Sequence, residues 1–199
     1  MDLRSADGTD APTARGRERR EKIIDAATTL FDRKGFHGTS IDEIGTSAGI
    51  TGPGLYRHFS GKDDILLAVF DRIWDLLKGA IDRVHDLEPE EALDELIDTH
   101  ITLAIDQGAA LGLLVRELRH VPDYYQRAAE RNDAQYVDTW AEVIIKLHPA
   151  VSLDEARMAA RAMMGLIGYS RREVPRGRIS KDRLREVLRM MAHDALSGL

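Results

Sequence analysis

The chain has no cysteine among its 199 residues. That excludes disulfide frameworks, thiolate zinc sites and cysteine nucleophiles together, and it suits a reducing cytoplasm. Long apolar runs are also missing, so no segment is suited to span a bilayer. The N-terminus is polar and acidic rather than basic and then apolar, which argues against secretion. No stretch alternates with the period of a strand, and no internal repeat is present. Catalytic signatures fail too. The seven histidines, His37, His58, His85, His100, His120, His148 and His193, form no His-Glu-Xaa-Xaa-His pair, and no Gly-Xaa-Ser-Xaa-Gly elbow occurs. Gly52-Pro53-Gly54 begins like a dinucleotide-binding loop, but Arg57 stands at the third glycine position and no strand precedes it. These absences point away from an enzyme, and no catalytic residue, metal ligand or cofactor is expected. What remains is an ordinary globular composition, 43% hydrophobic and 31% charged, in an all-α chain long enough for one or two cores.

The net charge of −6 is unevenly spread. Of 28 Lys/Arg and 34 Asp/Glu, 10 and 9 fall in residues 1–62, leaving 18 and 25 beyond, so the balances are +1 and −7. Arg15, Arg17, Arg19, Arg20 and Lys22 cluster where a first helix begins. Such a cluster can meet nucleic-acid phosphates. It can equally be a solvated face, because Glu18 and Glu21 interleave with it and can pair within the helix. Residues 1–13, with Asp2, Asp7, Gly8, Asp10 and Pro12 and little apolar content, read as a disordered tail.

The richest local signal lies between Thr39 and Lys62. Ser40 can cap a helix with apolar positions Ile41, Ile44 and Ala48, its first turn carrying Asp42 and Glu43 and its end falling near Ser47. Gly49 can enter the left-handed region for a tight turn, and Ile50 can tuck back into the core. Thr51 is suited to cap a second helix in which Pro53 is tolerated because it falls in the first turn. Leu55 and Phe59, four apart, face inward, which leaves Tyr56, Arg57 and His58 to project outward. A guanidinium beside a phenol suits bidentate reading of guanine together with phosphate contact.

The run Leu55-Tyr56-Arg57-His58-Phe59, followed by Lys62, resembles the recognition helix of TetR-family one-component repressors. The likeness extends over the first third of the chain, through Ile23, Ile24, Ala27, Leu30, Phe31, Gly35-Phe36 and Thr39-Ser40. The remainder resembles the family in size and all-helical pattern. The resemblance implies a three-helix helix-turn-helix DNA-binding domain over residues 14–62. A larger helical effector-binding and dimerisation domain would follow over 63–199. Positions matching the family's DNA contacts are Ser40, Thr51, Gly52, Pro53, Tyr56, Arg57 and Lys62. Ser40, Thr51, Tyr56 and Lys62 are expected at phosphates, Arg57 at a base, and Gly52 and Pro53 in close or apolar groove contact. Many members carry Lys, Arg or Thr near 52–54. Here Gly52-Pro53-Gly54 shifts sequence preference toward Arg57, Tyr56 and DNA shape.

Beyond Gly61 the spacing predicts a long helix from Lys62 through Ile65, Val69, Ile73 and Leu77 to Val84, bridging the two domains. Further helices are expected from Pro89 to a stop at Gly108, from Leu111 to His120, from after Pro122 to His148 and from Ser152 onward. A break around Pro175 precedes a last helix capped by Ser180. Trp74, His100, Leu103, Tyr136, Trp140, Met163 and Met164 fall on apolar faces, with Gln107 and Arg116 nearby in sequence. They fit a mostly apolar small-molecule pocket with a few polar anchors, and they fit plain core as well. The stripe Leu184, Val187, Leu188, Met191 and Ala195, with Gly165 and Gly168, can either pair two chains or complete one core. The family pairs through its two C-terminal helices, so the resemblance implies a homodimer on an inverted-repeat operator. A small apolar or amphipathic effector, such as a fatty acyl or aromatic compound, would release it. A constitutive or ligand-dependent DNA binder, activating or architectural, is the other reading of the same features.

Overall fold

The computed structural model describes residues 14–174 and 177–199, and every described element is helical. The expected tail over 1–13 and the break at Pro175 lie outside the described residues. The chain divides into two compact units, parted between Leu66 and Leu67 inside a continuous helix.

In the first unit, α1 (Ala14–Lys34), α2 (Ile41–Ala48), α3 (Gly52–Tyr56) and the start of α4 (Lys62–Val84) enclose a small core. Ile23, Ile24, Ala27 and Phe31 of α1 bury against Ile44 of α2, Leu55 of α3 and Phe59. The Phe31 and Phe36 rings meet at 5.2 Å. α2 begins with a capping box: the Ser40 hydroxyl accepts from Glu43 N–H, and the Glu43 carboxylate accepts from Ser40 N–H. That carboxylate also pairs with Lys34 at 2.5 Å. Lys34 first, then the Ser40 amide and hydroxyl, hold the Glu43 carboxyl down to about 2. Gly49 ends α2 in the left-handed region at φ 66°, with Ile50 N–H reaching back 2.9 Å to the Gly45 carbonyl.

In the second unit α5 (Pro89–Asp106) is the central rod. It packs against α6 (Gly108–Glu117), α7 (Asp123–Leu147), α8 (Leu153–Tyr169) and α9 (Lys181–Leu196). Leu93, Leu96, Ile97, Ile101, Leu103 and Ile105 are all buried, so its apolar surface is broad, while Glu90, Glu91 and Asp94 are exposed on the remaining side. α7 and α8 form the most extensive pair, with Ala141, Ala156 and Ala160 fully buried. α9 lays Leu184, Leu188, Ala192 and Leu196 inward and is tied to α5 by a ladder of charges. His193 meets Asp94 at 2.8 Å, Arg189 meets Asp98 at 2.5 Å, and Lys181 and Arg185 both hold Asp106. Ser152 and Ser180 cap α8 and α9 as expected, Ser152 with a full capping box through Glu155.

Three expectations need correction. α5 stops at Asp106 and α6 begins at Gly108, with Gln107 as the joint. Gly108 is needed for a close approach rather than for a stop, since a Cβ there would lie 3.0 Å from Cβ of Arg171. Thr51 holds the N-cap position of α3, but its side chain makes no capping hydrogen bond. On α9 the stripe divides. Leu184 and Leu188 are buried with Ala192 and Leu196, whereas Val187 is half-buried and Met191 and Ala195 are exposed. The inward row follows the four-residue period set by contact with α5, and the mixed stripe straddled two faces.

Gly49 carries its φ for conformational reasons alone, because nothing lies within 4 Å of a Cβ built there. Gly49→Ala should therefore lower the urea unfolding midpoint of the first unit by the equivalent of about 1–2 kcal/mol, and Gly49→Asn by less, since Asn enters that region more readily. Equal losses in circular-dichroism unfolding would contradict this account.

Candidate nucleic-acid interface and ligand cavity

α3 is one and a half turns long and is held by its inner side chains. Leu55 is 1% and Phe59 2% exposed, and the chain leaves α3 with His58 and Phe59 N–H both directed at the Leu55 carbonyl. Anchoring from within fixes the outside. Tyr56 is 58% exposed, and Thr51, Pro53 and Arg57 are exposed around it, while His58 is half-buried. Gly54 is required by packing, because its Cβ would stand 3.0 Å from Ile50 Cγ2 and 3.2 Å from Thr51 Oγ1. Gly52 faces open space, so bare backbone adjoins the Pro53 ring.

Ser40 and Lys62 flank this face with part of their capacity already used. Ser40 caps α2. The Lys62 ammonium donates to the Thr39 carbonyl at 2.9 Å and lies 4.6 Å over the Phe36 ring. Three ammonium protons leave two for other acceptors. In the basic cluster of α1, Lys22 pairs with Glu18 at 2.7 Å and Arg20 lies 5.0 Å over Phe59, so intrahelical pairing and core packing engage part of it. Arg15 and Arg19 are exposed.

The second unit contains a cavity of about 400 Å³. Trp74, His100, Leu103, Tyr136 and Met164, all anticipated, line it. Gln107, Arg116, Trp140 and Met163 do not. Gln107 joins α5 to α6, Arg116 is exposed on α6, and Trp140 and Met163 are buried in the core. The lining also includes Leu77, Leu111, Leu114, Val115 and Leu118. Leu111, Leu114 and Leu118 carry a readable signal, an apolar row at three- and four-residue spacing. Glu130, Asp133 and Arg161 complete the wall, and nothing in their spacing marks them. Asp133 and Arg161 pair with each other across α7 and α8 at 3.1 Å.

His100 and Tyr136 of the lining belong to an aromatic group that includes Trp140. The His100 and Tyr136 rings stack at 6.0 Å and 18°, and Trp140 meets Tyr136 edge-on at 6.3 Å. His100 Nε2 lies 3.2 Å from the Met164 carbonyl. A carbonyl oxygen only accepts, so Nε2 carries the hydrogen and Nδ1 is an unprotonated lone pair. Burial pushes the imidazole down to about 4, against the opposing effect of the Met164 bond. Burial likewise raises the Tyr136 phenol, which stays protonated. Among the described residues no group of three or more His, Cys, Asp or Glu is placed to hold a metal ion, and no helix is long and apolar enough to cross a membrane.

Two family models match this chain, the bacterial regulatory proteins of the tetR family over residues 23–69 and the tetracyclin repressor-like C-terminal domain over residues 86–196. The chain belongs to the TetR family. It carries the family's helix-turn-helix domain at its N-terminal end and a larger helical C-terminal domain. The HTH-type transcriptional activator FasR of Mycolicibacterium smegmatis is 41% identical over 64 residues, 32% of this chain and 29% of that protein. An uncharacterised HTH-type regulator of Lactococcus lactis subsp. lactis is 34% identical over 125 residues, 58% of this chain and 62% of that one. The chain thus spans less than two thirds of each of these relatives. Both are named as transcriptional regulators rather than enzymes. Among solved structures, AibR in complex with isovaleryl coenzyme A and operator DNA shares the fold at a TM-score of 0.70 and 22% identity, over 87% of this chain and 97% of AibR.

The buried histidine of this TetR-family chain gives a pH signature. The folded state resists protonation down to about 4, whereas an unfolded histidine takes its proton near 6.5, so the unfolded state binds more protons between those values. Stability from this group is fully present above pH 6.5 and is lost as pH falls through the window, by roughly 3 kcal/mol in all. Unfolding free energies measured from pH 7 to pH 4 should fall more steeply in wild type than in His100→Leu. Parallel slopes would mean that His100 is not buried neutral.

Proposed function

We propose that this TetR-family chain is a homodimeric repressor that acts in the cytoplasm, binds a palindromic operator and is released by a small apolar or amphipathic effector. In this reading residues 14–62 bind DNA, and residues 63–199 hold the effector and pair the chains. Arg57 reads a base edge, and Tyr56, Thr51, Ser40 and Lys62 hold phosphates. Gly52 and Pro53 let the backbone approach the groove. The exposure of Tyr56 and Arg57 on a helix anchored by Leu55 and Phe59 supports that assignment. An inverted repeat read by two such helices requires them about 34–36 Å apart, or a multiple of that, and therefore a dimer.

A second chain has an apolar surface to meet. On α8, Met158, Ala162, Gly165 and Tyr169 recur at three- and four-residue spacing, and all are exposed. On α9, Met190 and Met191 are 56% and 42% exposed. Gly165 meets nothing of its own protomer within 4 Å of a built Cβ, which leaves room for close helix approach. The effector half of the reading is supported by the cavity, a cleft open to solvent beside Val115, Glu130 and Arg161 and lined mainly by apolar and aromatic side chains with a few polar ones, the usual form of a small-molecule site. AibR, of the same fold, was solved with both an acyl coenzyme A and operator DNA, which supports joining the two activities in one chain. Effector and operator affinities are then reciprocally coupled, typically by about 1–3 kcal/mol. A second reading, an activator that needs its ligand to bind DNA, is favoured by the name of FasR.

Selection of random duplex DNA by the purified protein, followed by sequencing, should return an inverted repeat. On that operator Arg57→Ala should cost about 1–3 kcal/mol and relax preference at one base, while Lys62→Ala weakens all sequences alike. Equal losses on operator and random DNA for Arg57→Ala would remove it from base reading. An effector that raises rather than lowers operator affinity would decide for the activator.

A further inference from the structure

We propose that Arg20 of α1 is a further phosphate-contacting residue of the DNA-binding unit, seated on the Phe59 ring and paired in role with Lys62 of α4. It lies outside the contacts assigned above and rests on the assignment of residues 14–62 to DNA binding.

α1 carries five cations between Arg15 and Lys22, and the fold treats them differently. The Lys22 ammonium is engaged by Glu18 at 2.7 Å, whereas Arg15 and Arg19 are exposed. Arg20 is seated on a ring. Its guanidinium carbon lies 5.0 Å from the centre of Phe59, yet 44% of its side chain remains exposed. Phe59 is itself 2% exposed, so the core fixes the ring and the ring in turn locates the cation. Tyr56 of α3 stands three residues before that ring, and Lys62 three residues after it. Lys62 repeats the arrangement, 4.6 Å over Phe36, with one proton on the Thr39 carbonyl. Two cations from two helices are thus each located by a buried ring of the small core that also holds α3.

A cation–π contact engages the charge through the ring face and spends none of the five guanidinium N–H donors on an acceptor oxygen. Among the described residues Arg20 makes no hydrogen bond, and the Glu21 carboxylate, at 4.0 Å, is beyond hydrogen-bond reach. Those donors remain for a partner outside the unit. Covering Phe59 would take only an apolar stem, so packing alone does not account for a guanidinium at this place. A duplex supplies the matching partner, since it carries one negative charge per about 1.7 Å of axis and its phosphate oxygens accept bidentate guanidinium bonds. Seating also lowers the freedom that Arg20 gives up on contact, which an unsupported side chain such as Arg19 gives up in full. A contact of this kind fixes the recognition helix over the groove and reads no base, so it complements Arg57.

The test measures binding of the full chain to a fluorescently labelled random-sequence duplex over a range of salt concentrations, because phosphate contact does not depend on sequence. Arg20→Gln keeps a stem over the ring and removes the charge. It should weaken binding roughly tenfold and make the dependence of log affinity on log salt shallower by about 0.9 per chain bound, with the thermal unfolding midpoint unchanged. Arg20→Lys should restore the wild-type salt dependence. Lys62→Gln should flatten it as Arg20→Gln does, and Arg19→Gln, on the same helix, should flatten it clearly less. An unchanged salt dependence in Arg20→Gln overturns the proposal. A loss of affinity that comes with a lower unfolding midpoint and the wild-type salt dependence overturns it too, because Arg20 is then a packing residue. Equal effects of Arg19→Gln and Arg20→Gln also overturn it, since the seat on Phe59 then confers nothing. In each of these cases a flattened response in Lys62→Gln leaves the DNA-binding assignment standing, whereas failure of the wild-type chain to bind the duplex removes both.

Discussion

Burial of more than half of α5 constrains the rest of the second unit. A helix buried over most of its surface must place the polar side chains of its buried face against partners on a neighbour. Thr99 meets Glu95 at 3.1 Å and Arg83 of α4 at 3.3 Å. His100 meets the α8 backbone. On the α9 side Asp98 meets Arg189, and Asp94 meets the His193 ring. Three neighbouring helices, α4, α8 and α9, thus meet polar groups of α5, and aromatic and leucine side chains around the rod line the cavity.

Legibility followed the range of the interactions. Ser40, Ser152 and Ser180 could be read as caps because a cap needs only residues within one turn. The inward Leu55 and Phe59 and the outward Tyr56 and Arg57 could be read because α3 has one core to face. Gly108 was misassigned because its reason lies 63 positions away at Arg171. Met163 and Met164 show the limit most sharply. Adjacent on α8 and alike in chemistry, one is core and the other lines the cavity, and only the rotation of the helix about its axis separates them. Gln107 and Arg116 had only sequence proximity to recommend them. The charged lining residues were invisible because a wall is assembled from five helices at once.

The DNA-facing unit makes a different compromise. Its recognition helix is short, and Gly52-Pro53-Gly54 gives up side chains that could touch bases. Gly54 is dictated by the turn beneath it, while Gly52 has open space around it. In the proposed DNA-binding reading, sequence discrimination would rest on few side chains, with backbone approach and duplex shape carrying more of it than a lysine-rich helix would need. The acidic balance of the remaining chain keeps nonspecific attraction low, since phosphate attraction rises with every basic side chain offered.

The charges between α5 and α9 repeat with the period of the helix itself. Moving α9 along α5 by part of a turn breaks the contacts at positions 185, 189 and 193 together, but moving it by a whole turn, 5.4 Å, offers Arg189 to Asp94 and Arg185 to Asp98 again. The ladder therefore resists small displacements, and a whole-turn shift is disfavoured too, because it brings Lys181 to Thr102 and leaves Asp106 without Lys181 and Arg185.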